Sequence, residues 1–498
     1  IVMVQSIWHP LKIKELKGAY IKKEFPRLTF QAYKDNSFQK QFEDYYKDHF
    51  GFREYAIRLY NQYLWSCYRK TNVNTVALGK DNYLYETYFV IEHYESLMHS
   101  YANDTSEMKK IFDTETLRLW KVQEILKEYD IHIFVNMLPG KDMIYPEYLP
   151  EKSKNPKPEG IRAYDYYKTK FEEYGINHID VASYFKELKG KVDYPLFTKK
   201  GTHWSNIASA YTFDTIIRYM EHIGDKNILN LQYSEKYKDR SRHPDNDLEE
   251  LYNLCVPSLP NVNYYTDVSV IQDPTADSPG LLTIGDSFYW NIIYNVPLKD
   301  IFRSCPYWFY NSTIYEDKDN KSTKDIDFVA EVMDIDYIML NYCNAQLYKL
   351  GNKFIAKALV YLCYDQEEID KKMEEIKVEM KKSEQWNAEI AKKALENNES
   401  VEVTMYNEAL NAIIEEPEKY FEELSGEKLP LSRNKSCIKS EGMSLFESKV
   451  QSLIDYIYSD EKWLEDITTK ARNNNVSTEE QVRIDAEWMV REEMKGQN

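Results

Sequence analysis

Between residues 116 and 365, short apolar runs alternate with amphipathic stretches, and no other feature of the sequence limits the fold as strongly. "IHIFVNMLP" (131–139), "INHIDVASYF" (176–185), "GLLTIGD" (280–286), "IFRSC" (301–305) and "DYIMLNY" (336–342) read as strands or contain them. "TETLRLWKVQEILKEYD", "AYDYYKTKFEEYG" and "SNIASAYTFDTIIRYMEHIG" carry apolar residues at helical spacing. Strands separated by helices predict an α/β fold, a parallel sheet flanked by helices on both faces. Ligands bind such sheets beyond the carboxyl ends of the strands.

The flanks differ in kind. Residues 1–115 read as an aromatic helical and hairpin region packed on the core. "FQKQFEDYYKDHFGFREYAIRLYNQYLW" is helical with a break near Gly51, and "VNTVALGKDNYLYE" is a hairpin. Residues 366–498 are charged, poor in strand formers and all-α, with a two-unit repeat at an offset of 77 residues. "EQWNAEIAKKALENNESVEVTMYNEAL" aligns with "EKWLEDITTKARNNNVSTEEQVRIDAE", pairing Trp386 with Trp463, Ile390 with Ile467 and Ala409 with Ala486. Each unit reads as helix, Asn-rich turn, helix, with Ser400 or Ser477 as cap. The tryptophans are expected to be packing anchors, and the region to dock a partner.

Composition removes some functions. A net charge of −18 argues against binding a phosphate backbone, which needs clustered cations. The six cysteines form no CxxC pair or Cys/His cluster, so no metal site or cofactor is expected. Forty-three tyrosines suit either carbohydrate faces or a core. "IVMVQSIW" is too short to cross a bilayer, which takes about 20 residues. It reads equally as the stub of a removed signal or trimmed anchor and as an ordinary first element.

The chemistry concentrates in two places. "GLLTIGDSFYW" sets Ser287 just beyond an apolar strand, with Asp286 before it and Phe288 after. A serine hydroxyl needs a base to take its proton before it attacks. In "FTKKGTHWSNIASAY", His203 stands where a loop opens a helix, with Ser205 as cap and Trp204 as a wall against water. A strand-end serine and a loop-end histidine can meet above one sheet edge although 84 positions separate them.

Five ordered stretches over residues 15–350 also resemble the SGNH-hydrolase-like alginate O-acetyltransferases of the DHHW group. "FEDYYKDHFGFRE" resembles the family's acidic-aromatic helix, with Asp48, Phe52 and Arg53 in place. "GKDNYLYE" resembles its turn, and "NMLPGKDMIYPEYLP" its Pro-x-Lys…Tyr-Pro-Glu segment through Pro139, Lys141, Tyr145, Pro146 and Glu147. "GTHWS" stands for Asp-x-His-Trp and "GDSF" for the nucleophile block. The resemblance implies a periplasmic or envelope protein that moves an acetyl group through an acyl-serine onto a glycan. Ser287 would be the nucleophile and His203 the base. The Ser287 N–H and a donor from Tyr310, Asn311 or Asn341 would form the oxyanion hole.

Two departures follow. The place of the family's triad aspartate is Gly201, so the orienting acid is open, with Asp193 and Asp286 as substitutes. The family's carbohydrate-binding β-domain is replaced by helices, which favours contact with a membrane acyltransferase or envelope assembly partner. The expected function is a glycan O-acetyltransferase or acetylesterase. The alternative is a degenerate SGNH-like protein that binds glycan or partner without chemistry.

Overall fold

In the computed structural model, residues 5–6, 8, 11–18, 21–95, 105–151, 161–315 except 259, 320–430 except 398, and most of 454–489 are described. The central sheet has seven strands: β1 (His132–Leu138), β2 (His178–Asp180), β3 (Leu281–Gly285), β4 (Tyr307–Phe309), β5 (Thr313–Tyr315), β6 (Lys321–Ser322) and β7 (Tyr337–Cys343). Their order is β6-β5-β4-β3-β7-β1-β2. The five strands from β4 to β2 run parallel. The edge strands β5 and β6 are antiparallel additions, so the sheet is mixed rather than wholly parallel. "IFRSC" is not a strand: it leaves a short helix (Leu298–Ile301) and touches the sheet through one isolated bridge, Gly280 to Ser304. The outermost parallel strand on that side is instead Tyr307–Phe309, where aromatic residues favour a pleated surface.

Among the helices, in chain order, are α1 (Ser37–His49), α2 (Arg53–Tyr68), α3 (Thr105–Glu128), α4 (Ala163–Tyr174), α5 (Asn206–Gly224), α6 (Asp247–Leu251), α7 (Phe354–Cys363), α8 (Gln366–Lys382), α9 (Glu384–Asn397), α10 (Val401–Glu415) and α11 (Glu461–Asn474). Alternating side chains of β1 feed two cores. Ile133, Val135 and Met137 pack under α3, α4 and α7, whereas Phe134 and Leu138 pack with Phe213, Ile216 and Ile217 of α5. Apart from the half-buried His132, the three central strands are buried along their length, as a sheet covered on both faces requires.

The flanks join this frame unequally. Helix α3 runs across residue 115, and its Phe112 and Leu119 share one core with Ile390, Met405 and Ala409 of the first C-terminal helical unit. Arg118 of α3 is buried between Glu115 and Glu418, and the Lys121 ammonium donates to the Leu424 carbonyl at 2.7 Å. The second unit forms a small cluster of its own from Ile457, Ile467, Val482 and Ala486. Lys393–Glu408 in the first unit and Lys470–Asp485 in the second are ion pairs at the same 77-residue offset, at 2.7 and 2.6 Å.

Residues 225–279, between α5 and β3, form an insertion. It contains two antiparallel ribbons, Asn230–Tyr233 with Val268–Ile271 and Tyr237–Arg240 with Val262–Tyr265, and the one-turn helix α6. Trp65 of α2, Val76 and Leu84 pack against its Leu248 and Tyr252.

Candidate active site

Ser287 stands two residues beyond the end of β3 and opens a 3₁₀ turn that Asp286 caps. The Asp286 side chain accepts from the Phe288 N–H at 3.0 Å and the Cys343 N–H at 2.7 Å. That carboxylate is therefore committed to holding the turn against β7. Burial raises its pKa, and these backbone donors oppose the rise.

His203 comes from the loop that opens α5, where Ser205 caps the helix by accepting from the Ala208 N–H. The Trp204 indole is fully buried, and its N–H donates to the Phe288 carbonyl at 2.9 Å. Trp204 thus ties the histidine loop to the serine turn, and the ring beside the imidazole is Phe288, at 4.9 Å between centroids. His203 Nε2 lies 2.9 Å from Ser287 Oγ. Its Nδ1 lies 2.7 Å from Asp247 Oδ2. With Nδ1 donating to the carboxylate, Nε2 is free to accept the serine proton.

Asp247 had no part in the sequence reading. It starts α6 inside the insertion, and two contacts fix its carboxylate: Oδ2 takes the His203 N–H and Oδ1 takes the Thr202 N–H at 2.8 Å. Helix α6 is itself seated on the histidine loop, because the Lys200 carbonyl accepts from the Leu248 and Glu249 N–H groups. Gly201 is the reason this loop fits. A Cβ there would meet Pro244 O at 2.8 Å and Asp245 C and O at 2.9 Å. The place of the resembling family's acid is thus filled by the backbone that delivers another acid. "HPDNDLEELY" carried one signal for it, an Asn/Asp-rich helix start. The pairing itself is tertiary.

The other residues singled out lie as follows. Asp193 is exposed and ion-paired with Lys236, so it is not the acid on His203. Asn311 donates to the Asn352 carbonyl at 3.0 Å, and the Asn341 side-chain oxygen accepts from Asn136 at 2.8 Å inside the sheet. Neither side chain is directed to Ser287. Tyr310 does line the pocket with Ser287, and its backbone is left-handed at φ 49°. Burial raises its phenol, Asp286 adds to the rise, and the nearby Ser287 N–H opposes it.

The pocket has a volume of about 300 Å³, and Glu86, Tyr88, His243, Glu250 and Gln346 contribute to its lining. Glu86 accepts from the Thr202 hydroxyl at 3.0 Å; burial raises its pKa, and Asp247 raises it further. Burial pulls the His203 pKa down, but the charge and hydrogen bond of Asp247 outweigh it and the net shift is upward. Lys141 is buried beneath the site and donates to the Leu84 and Gly201 carbonyls, with burial lowering its pKa to about 7. Among the described residues no group of three or more His, Cys, Asp or Glu side chains could hold a metal ion.

A sheet with a parallel centre, carrying a hydrogen-bonded Ser–His–Asp series beyond its strand ends, defines an SGNH hydrolase-like α/β domain. Residues 76–283 match the family described as SGNH hydrolase-like domain, acetyltransferase AlgX. The matched segment includes His203 and Asp247 and ends four residues before Ser287. Among solved structures, the O-acetyltransferase domain of Pseudomonas putida AlgJ is 14% identical, covering 57% of this chain and 98% of its own, at a TM-score of 0.38. Pseudomonas aeruginosa AlgX is 13% identical, covering 59% and 69%, at 0.36. Bacillus cereus PatB1 with a sulfonyl adduct is 11% identical, covering 55% and 97%, at 0.33. A comparison with curated proteins found no significant match.

Proposed function

We propose that this protein moves acetyl groups on an envelope or extracellular glycan through an acyl-serine, as an O-acetyltransferase or acetylesterase. The observation that carries the reading is the unbroken series Ser287 Oγ–His203–Asp247, at 2.9 and 2.7 Å. Nε2 takes the serine proton as Oγ attacks the acetyl carbonyl. The tetrahedral oxyanion is met by the Ser287 N–H and the Tyr310 hydroxyl. Collapse expels the donor's alcohol, which receives the proton from Nε2, and leaves acetyl-Ser287. A sugar hydroxyl or water then repeats the sequence in reverse, with Nε2 again as base. Asp247 holds the tautomer and stabilises the imidazolium, the task that Asp193 and Asp286 are not placed to perform.

This series supports the enzymatic reading over a degenerate binder, because the vacancy at Gly201 does not leave the histidine without an acid. The exposed Leu395, Val401 and Val403 around the turn of the first C-terminal unit support a partner contact there. The test of the enzyme is labelling by a serine-directed sulfonyl or phosphonate probe. Wild type should label at Ser287 and turn over an acetyl-ester reporter, and Ser287→Ala should do neither. Labelling that persists in Ser287→Ala removes the assignment.

A further inference from the structure

Helix α2 buries Trp65 but leaves much of its apolar surface outside. Beside Trp65, polar groups also face protein: the Asn61 amide donates to the Tyr252 carbonyl at 2.9 Å, and Gln62 accepts from the Val256 N–H at 3.0 Å. Its outer side carries Tyr55, Leu59 and Tyr63, spaced four apart and 54%, 61% and 52% exposed. The neighbouring α1 repeats the arrangement with Phe42 and Tyr46, 41% and 51% exposed, and Phe25 stands edge-on to Phe42 at 5.9 Å. Beside the α2 stripe lies an open apolar groove of about 420 Å³, lined by Leu11, Phe50, Phe52, Tyr55, Ala56 and Leu59. A contiguous apolar face of this kind on a folded domain marks an interaction surface.

Charge identifies what covers it. Residues 1–70 hold thirteen Lys and Arg against seven Asp and Glu, a surplus of six positive charges on a chain whose net charge is −18. Lys12, Lys14, Lys23, Arg27, Lys34 and Lys40 are all exposed. Tyrosine and phenylalanine beside lysine is the composition that settles at the headgroup level of a bilayer, and a basic surplus draws it to anionic lipid. The remaining 428 residues are acidic and are repelled by the same surface, so attraction and repulsion orient the molecule with α1 and α2 toward it.

We propose that α1, α2 and the preceding basic segment form a peripheral docking surface for an anionic lipid bilayer. The stripe supplies apolar insertion and the lysines supply attraction, so binding requires both. The backbone of this segment passes directly into the pocket rim at Lys17 and Gly18, where Lys17 exchanges two hydrogen bonds with Asn253 of the insertion. Docking therefore holds the pocket beside the membrane.

The test is flotation of the full chain with vesicles of phosphatidylcholine alone or mixed equally with phosphatidylglycerol. The chain should float with the mixed vesicles and not with the neutral ones. Binding should fall at least about tenfold when salt shortens the Debye length from about 10 to about 3 Å. The triple variant Tyr55→Ser/Leu59→Ser/Tyr63→Ser should lose binding by a similar factor while keeping wild-type reporter turnover, which certifies its fold. Lys12→Glu/Lys14→Glu should weaken binding to mixed vesicles only. Equal flotation of the triple variant, equal binding to neutral vesicles, or failure of wild type to float would each overturn the proposal. Self-association that the triple variant abolishes, without vesicle binding, would assign the stripe to a second copy instead.

Discussion

Gly201→Ala tests the relation between the glycine and the acid. The added methyl would lie 2.8 Å from Pro244 O and 2.9 Å from Asp245 C and O, all backbone atoms that cannot rotate aside. Carbon contacts are comfortable from about 3.5 Å, so the 244–247 loop must retreat by roughly half an ångström. Asp247 sits two residues further on and moves with it. Its bonds to His203 and Thr202, now 2.7 and 2.8 Å, stretch toward the limit of useful hydrogen bonding at about 3.2 Å. Overpacking should cost about 1–3 kcal/mol in stability. A misplaced acid should cost about 10²-fold in kcat, against about 10⁴-fold for Asp247→Asn, which removes the carboxylate outright. The decisive assay is a double-mutant cycle on acetyl-ester turnover, with denaturant unfolding alongside. If Gly201 acts through Asp247, adding Gly201→Ala to Asp247→Asn should change kcat by less than about threefold. Gly201→Asp should not rescue Asp247→Asn, because its carboxylate has no room. Full activity in Gly201→Ala, multiplicative losses in the double variant, or rescue by Gly201→Asp would refute the reasoning.

Asp247→Asn should also move the pH profile. Catalysis needs neutral His203, so kcat/KM of wild type should rise through a pKa above 6.5. Loss of Asp247 removes the leading upward influence and leaves burial opposed by the smaller effects of Glu86 and Asp286, so the acidic limb should shift to lower pH while turnover falls. The raised His203 pKa contributes stability that is present below the unfolded pKa and lost as pH rises through the folded one, so the stability gap between wild type and variant should narrow with rising pH. Arg118→Leu leaves Glu115 and Glu418 facing each other without their cation and should destabilise the chain by about 3 kcal/mol in a denaturant titration.

The parallel centre of the sheet was legible because β1, β3 and β7 are apolar runs buried on both faces, which composition alone announces. The antiparallel edge was not: β4 and β5 are three-residue strands, and the more apolar "IFRSC" beside them was spent on a helix end. Ser287 and His203 were legible because each stands at the junction of a strand or loop with a helical element. Asp247 was hidden because its role depends on how an insertion folds back over the histidine loop, and no local pattern encodes that return. The lone acids that local pattern did offer had other employment, Asp286 in a turn and Asp193 in a surface ion pair.

One excursion of the chain, residues 225–279, supplies both the acid that steadies the imidazole and the His243 and Glu250 at the pocket mouth. Residues that line the pocket and the residue that orients His203 therefore descend from a single block. Replacing this block with an unrelated segment would remove the carboxylate in the same cut, and the resulting chain would need another acid for His203, along with the room to hold it.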